Sequence, residues 1–292
     1  MAPDSSSPTA PAVTAPVRRP RPGEDIADLV LVVPCYNEGE RFPVESFAAF
    51  LDSHPRFGVV LVNDGSRDNT LAMLTAFAVR YPAQATVLDL QPNGGKAEAV
   101  RRGLLAALDR GPAFVGFWDA DLATPLDAVD LFERLLSGRP DIQWVIGARV
   151  KLLGRNVERQ VVRHYLGRVF ATAASITLGI PIYDTQCGAK MFRASEQLYD
   201  CLERPFGSRW VFDVELIGRF MSRLSADGTP DPPNRLYEYP LLKWVDVQGS
   251  KVKPTDFFRA FTELIGIWFR LRQDRKALTR RLRVAGSTEA AR

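Results

Sequence analysis

Asp119-Ala120-Asp121 closes the apolar run Phe114-Val115-Gly116-Phe117-Trp118. Two carboxylates separated by one small residue, where a buried strand opens into a loop, suit a divalent cation that also touches a diphosphate. Carboxylate oxygens are hard ligands, and Mg²⁺ or Mn²⁺ is commonly held by one or two of them plus substrate phosphates. An ordinary aspartate-rich turn is the alternative for such a pair, so the company it keeps decides. Three other segments carry chemistry. In Val33-Pro34-Cys35-Tyr36-Asn37-Glu38 an aromatic ring and a carboxylate beside exposed backbone suit a nucleoside; equally, Asn37 can cap a following helix. Asp64, in Asn63-Asp64-Gly65-Ser66, can accept from a base or ribose, or make an Asx-turn before Gly65. Asn93-Gly94-Gly95-Lys96 opens a helical pattern. Glycines allow close backbone approach and a helix N-terminus attracts phosphate, although the full P-loop pattern is absent and a plain glycine loop also fits.

The elements that must position these groups alternate. Leu29–Val33 and Val59–Leu61-Val62 read as strands buried on both faces, with Thr86–Leu90, Phe114–Trp118 and Trp144–Gly147 as further strands. Helical patterns lie between them at Phe42–Ser53, Asn69–Tyr81, Lys96–Arg110 and Leu126–Leu136. This alternation predicts βαβ units and a mainly parallel α/β sheet flanked by helices, whose ligands bind beyond the carboxyl ends of the strands. All four segments fall at that edge. After Arg149 the pattern loosens: an arginine-rich stretch, Arg155–Arg168, an apolar stretch Val169–Ile182, a loop Asp184–Gly188, a strand Ala189–Phe192, a helix Trp210–Leu224 and a strand Tyr237–Leu242.

Composition excludes several classes. The 292 residues are 46% hydrophobic and 25% charged, a globular balance, with a net charge of +4. Cys35, Cys187 and Cys201 have no metal-ligand spacing and suggest no disulfide framework. Residues 1–25, rich in Pro, Ala, Ser and Thr, read as a disordered tail without the apolar segment of a signal peptide. No apolar run reaches transmembrane length, and no nucleic-acid recognition motif is present.

Taken in order, VVPCYNE, VNDGS, NGGKAEAVRRG, DAD and DTQCGAKMF resemble the family 2 glycosyltransferases of the GT-A fold, a Rossmann-like sheet. Among them the sequence is most similar to the polyprenyl-phosphate (dolichyl-phosphate) hexosyltransferases, over roughly residues 28–255. The resemblance implies a GT-A domain at 26–250, with a nucleotide-sugar half to about 150 and an acceptor half after it. It implies inverting, metal-dependent transfer from a nucleotide sugar. Pro34, Tyr36, Glu38 and Asp64 would hold the nucleoside, Lys96, Asp119 and Ala120 would contact the ribose and diphosphate, and Asp119 and Asp121 would ligate Mg²⁺ or Mn²⁺. Arg149 and Lys251 match basic positions near the diphosphate or the acceptor phosphate, and Trp244–Lys251 resembles a loop closing over the donor. Ala123-Thr124 and Val247 are more similar to the glucosyl than to the mannosyl branch, which makes UDP-glucose the first donor and GDP-mannose the second.

A phosphate monoester acceptor has its second pKa near 6 and is mostly dianionic at neutral pH, so it needs cations more than a base. Arg155, Arg159 and Arg163 repeat at i, i+4 and i+8, one helix face. With His164 and Arg168 they are candidates for the acceptor phosphate, against the alternative of a solvated basic face. Asp213 is the candidate base should the acceptor be a hydroxyl of a polysaccharide or small molecule; helix N-terminal charge, or orientation of the acceptor arginines, is its other reading. From Lys251 to Arg283 there are ten Lys/Arg against three Asp/Glu, with Phe257, Phe258, Phe261, Leu264, Ile265, Trp268 and Phe269 at helical spacing. A basic amphipathic extension over 251–285, ahead of a disordered tail at 286–292, suits the anionic inner face of a membrane with the protein peripheral and cytoplasmic, or else packs on the domain.

Overall fold

The computed structural model describes residues 28–154, 156–158, 161–245 and 259–274, with backbone alone at 156–158 and 161–165. Lys251, Arg155, Arg159, Phe257, Phe258, both tails and most of the expected closing loop lie outside the described residues. Arg163 and His164 fall where only the backbone is described.

Strand β1 (Leu29–Cys35) shows why the sheet is covered on both faces. Leu29, Leu31 and Val33 enter one buried cluster while Val30 and Val32 enter the other, as successive strand residues must. β2 (Phe57–Asp64) alternates in the same way. Helices α1 (Val44–Ser53), α2 (Thr70–Arg80) and α4 (Asp127–Gly138) close one layer, and α3 (Lys96–Leu108), α5 (Val161–Leu178), α6 (Glu196–Glu203) and α7 (Phe212–Ala226) the other. With β3 (Ala85–Leu90), β4 (Phe114–Trp118), β5 (Trp144–Ala148), β7 (Ala189–Arg193) and β8 (Leu236–Pro240), the sheet order is β3-β2-β1-β4-β7-β5-β8. Short strands β6 (Asn156–Glu158) and β9 (Lys243–Val245) pair separately.

Two features of this topology position the site. The chain runs outward from β1 to β2 and β3, then returns to place β4 on the other side of β1. That leaves a switch point between β1 and β4, where an α/β sheet opens a crevice at its carboxyl edge. Second, β7 runs antiparallel to both β4 and β5, within a sheet whose other pairings are parallel. Its first residue, Ala189, pairs with Trp118, so the loop that precedes it arrives at the same edge as the end of β4.

α3 lies close against the sheet because Gly103 faces it: a Cβ there would stand 2.3 Å from Val32 Cγ1 and 2.8 Å from Val62 Cγ2. The helix over 259–274 packs on the domain by Leu264, Ile267 and Leu271, all buried in the α7 cluster. This departs from the stripe read in the sequence: Leu264 turns inward, whereas Ile265 and Phe269 face out, 60% and 56% exposed. Leu264 and Phe261 of that stripe pack on the domain, and Gly218 on α7 leaves a seat for Leu271 beside them. Among the described residues no helix is long and apolar enough to cross a membrane, and the three cysteines are free and buried.

Candidate active site

An open cleft of about 370 Å³ lies at the switch point, walled by Pro34, Tyr36, Glu38, Asp64, Asn93, Gly95, Lys96, Asp119, Ala120 and Asp121. Every donor and metal position read from the sequence, apart from Lys251, is on this one surface.

The loop after β1 is stapled to the loop after β2. The Asn37 amide donates to Ser66 Oγ at 3.0 Å, Asn37 Oδ1 accepts from the Arg67 amide at 2.9 Å, and the Glu38 amide donates to Thr70 Oγ1 at 2.8 Å. Asn37 therefore caps no helix: α1 begins seven residues later, at Val44 after Pro43. Its left-handed φ of 53° is one that Asn tolerates better than most side chains. The turn leaves Tyr36 44% exposed at the cleft.

Asp64 is buried, and its carboxylate organises the glycine turn. It accepts from Asn93 Nδ2 at 3.0 Å and from the amides of Gly94 and Gly95 at 2.8 Å each. No Asx-turn to its own following residues is needed, since the opposite loop supplies the donors. Gly95, at φ 88°, then admits the chain into α3. Asp64 so fixes where the N-terminus of α3 points.

Lys96, the first residue of α3, reaches Asp119 Oδ1 at 2.5 Å. Removal from water works against its charge, but Asp119, Asp213 and Asp121 together raise its pKa. Asp119 is seated by its own amide on the Gly188 carbonyl at 2.9 Å. A Cβ on Gly188 would stand 1.8 Å from Asp119 Oδ2, so only glycine fits there. Burial raises the Asp121 carboxyl above its usual range and the charge of Asp119 adds to this, opposed by a 3.0 Å hydrogen bond from the Ala123 amide. Glu38 is raised too, first by burial and then by Asp121, against the stabilising Arg41 at 2.9 Å. Acids that resist ionisation together fit a cation. No three ligating side chains converge among the described residues, so Asp119 and Asp121 fit Mg²⁺ or Mn²⁺ only with oxygens from a bound diphosphate completing the shell.

Of the expected acceptor cations, Arg149 and Arg168 have described side chains. Arg149 forms a fork with Asp184, Nε to Oδ2 at 2.7 Å and Nη2 to Oδ1 at 2.8 Å, with its amide also on Oδ2. It lies over the Trp244 ring. Burial opposes its charge, but Asp184 overrides this and raises its pKa. Asp184 is held in turn by its amide on Glu238 Oε1 at 2.8 Å. Arg149 is thus a committed internal cation, because a buried guanidinium must be paired. Arg168 stacks on Tyr183 with its guanidinium carbon 3.8 Å from the ring centre.

Asp213 is also paired internally, and no arginine among the described residues is hydrogen-bonded to it. Lys190, fully buried in β7, donates to Asp213 Oδ1 and to the Cys187 carbonyl, both at 2.6 Å, and Gln186 Nε2 lies 3.4 Å from Oδ2. Burial raises the Asp213 carboxyl, against the pull of Lys190 and Lys96. Lys190, Asp184 and Glu238 received no role from the sequence, although a lysine inside the apolar strand Ala189–Phe192 is a readable sign of a buried partner.

Solved structures share this architecture. Glucosyl-3-phosphoglycerate synthase of Mycobacterium tuberculosis, in complex with Mn²⁺, UDP-glucose and phosphoglyceric acid, superposes with a TM-score of 0.58 at 20% identity, covering 87% of this chain and 85% of that one. The same enzyme with Mg²⁺ and UDP gives 0.55 at 19% identity, covering 84% and 79%. The fold is therefore that of the GT-A glycosyltransferases. Residues 30–197 match the model of Glycosyl transferase family 2. A dolichyl-phosphate beta-glucosyltransferase of Trichomonas vaginalis is 32% identical, covering 82% of this chain and 71% of that protein. Enzymes of the same name from Drosophila melanogaster (31%; 83% and 75%) and Homo sapiens (30%; 85% and 79%) are similar over comparable spans. The chain belongs to glycosyltransferase family 2.

Proposed function

We propose that the protein transfers glucose from UDP-glucose, with inversion, to a polyprenyl phosphate of the dolichyl type at the cytoplasmic face of a membrane. The observation that carries the donor half is the single cleft in which Asp119 and Asp121 face Lys96 and the Gly94–Gly95 turn. Similarity to transferases named for dolichyl phosphate and glucose, over more than four fifths of the chain, supports the acceptor and the sugar over GDP-mannose or a hydroxyl acceptor.

Pro34, Tyr36 and Glu38 border the nucleoside, and Asp64 holds the glycine turn so that Lys96 and the α3 N-terminus meet the diphosphate. Asp119, Ala120 and Asp121 line its other side, and Lys251 on the closing loop would cover it. Asp119 and Asp121 would hold Mg²⁺ or Mn²⁺, which when bound would offset the charge on the leaving diphosphate. A lone pair on the acceptor phosphate forms the new oxygen–carbon bond at the anomeric centre. The old carbon–oxygen bond breaks, and its electron pair leaves with UDP. No proton has to move, so Asp213, paired with Lys190, need not act as base. Ile265 and Phe269, with Ile176 exposed on α5, suit shallow contact with an anionic bilayer.

The test is transfer of labelled sugar from UDP-glucose and GDP-mannose to a short-chain polyprenyl phosphate, with Mn²⁺ or Mg²⁺ and with EDTA. Metal-dependent lipid-phosphate-glucose is the expected product. Release of free sugar without a lipid product overturns the acceptor assignment.

A further inference from the structure

Among the described residues, the cations around the cleft are largely spent on carboxylates: Lys96 on Asp119, Arg41 on Glu38, Arg149 on Asp184 and Lys190 on Asp213. Arg209 differs. It stands in the loop between α6 and α7, four residues before Asp213, and is exposed. Among the described residues it makes no ion pair or hydrogen bond. Its side-chain stem nevertheless has a fixed place. Cδ, Cγ and Cβ of Arg209 lie 3.6, 3.7 and 3.9 Å from where a Cβ on Gly95 would be. Gly95 is a wall of the cleft and immediately precedes Lys96. The stem of Arg209 therefore lies against the Gly95 wall of the cleft, beside the start of α3. The neighbouring Trp210 is 47% exposed, which sets an apolar surface beside a free planar cation.

From this geometry we infer that Arg209 receives the phosphate of the acceptor, with Trp210 against the first apolar units of its chain. The inference rests on the phosphate-acceptor reading above and gives that reading a cation from the α6–α7 loop in place of the internally committed Arg149. A guanidinium matches phosphate oxygens in a two-pronged arrangement that an ammonium cannot reproduce. At this position it holds one anion next to another without drawing Lys96 away from the donor. The same chemistry would serve the donor diphosphate, so the experiment separates the two sources.

Arg209→Ala and Arg209→Lys are compared with the unaltered protein in initial rates against a short-chain polyprenyl phosphate at saturating UDP-glucose, and in calorimetric titration with UDP and Mn²⁺. The expected result is an acceptor KM raised about 10- to 100-fold in Arg209→Ala, the loss of a charged hydrogen bond. Partial recovery is expected in Arg209→Lys, and UDP affinity should change less than about threefold. An unchanged acceptor KM overturns the inference. So does a UDP affinity that falls in step with the acceptor KM, which would assign Arg209 to the diphosphate. If the unaltered protein glucosylates no polyprenyl phosphate while still binding UDP, the acceptor reading fails and this inference falls with it.

Discussion

Lys190→Met removes one half of a buried ion pair while keeping the bulk of its apolar stem. Lys190 and Asp213 side chains are 1% and 8% exposed and 2.6 Å apart, so solvent screens them little. Two unit charges about 4 Å apart at an effective dielectric constant of 20 attract by about 4 kcal/mol, and breaking a buried pair by deleting one partner typically costs about 3–5 kcal/mol. The lost hydrogen bond to the Cys187 carbonyl falls within that range. Urea denaturation near neutral pH should therefore show Lys190→Met less stable by about 3–5 kcal/mol. Burial already raises the Asp213 carboxyl, and Lys190 is the first opposing influence; without it the folded-state pKa rises further. A carboxyl with a raised folded pKa contributes stability that is present below its unfolded value and lost as pH rises through the folded one. The deficit should therefore be smaller at about pH 5 than at about pH 7.5. Adding Asp213→Asn to Lys190→Met removes the orphaned charge and should restore about 2 kcal/mol of the loss. A deficit below about 1 kcal/mol, or one equal at both pH values, would refute the buried-pair argument.

Three other outcomes are expected. Asp121→Asn should abolish most metal-dependent transfer and weaken Mn²⁺ binding in the presence of UDP, read by electron paramagnetic resonance; near-normal turnover would remove Asp121 from the metal site. Gly188→Ala should displace Asp119, whose Oδ2 lies 1.8 Å from the added Cβ, costing about 1–3 kcal/mol of stability and most of the transfer rate. A fully active, equally stable variant would show that the 184–188 loop gives way freely. Phe269→Asp, on the outward face of the 259–274 helix, should reduce co-flotation with phosphatidylserine vesicles several-fold while UDP binding persists. Undiminished flotation would place membrane contact elsewhere.

The donor side was legible because its signals are local. Leu29–Val33 and Val59–Val62 are continuous apolar runs, and each ends in the polar loop that the sheet then brings to one edge. The pairings after Arg149 are less legible, because they cross long stretches of chain. Nothing near Arg149 announces that Asp184, thirty-five residues on, will take its guanidinium. For the helix over 259–274 the sequence left two readings open, a membrane surface or packing on the domain. Aromatic residues dominate its hydrophobicity, yet which face turns inward was settled by Gly218 on α7, which admits Leu271. Helix α6 was overlooked since its apolar residues, Leu198, Cys201 and Leu202, are few and set among acids. Its start does carry a signal: Ser195 Oγ accepts from the Leu198 amide, an N-cap.

The direction of β7 ties these parts together. Had it run parallel to β4, its first residues would lie at the amino edge of the sheet, and the loop 184–188 would be a strand's length from Asp119. Running antiparallel, it delivers Gly188 against the Asp119 carboxylate and Asp184 to Arg149. Two residues into the strand, Lys190 reaches back to Asp213 at the start of α7. One strand thereby couples the Asp119 carboxylate to the start of α7. Asp213 and Asp119 both raise the pKa of Lys96, so this lysine feels carboxylates from both halves. If the protein joins two anionic substrates, as proposed, the charges that receive them are set in part by pairs formed around a single antiparallel strand.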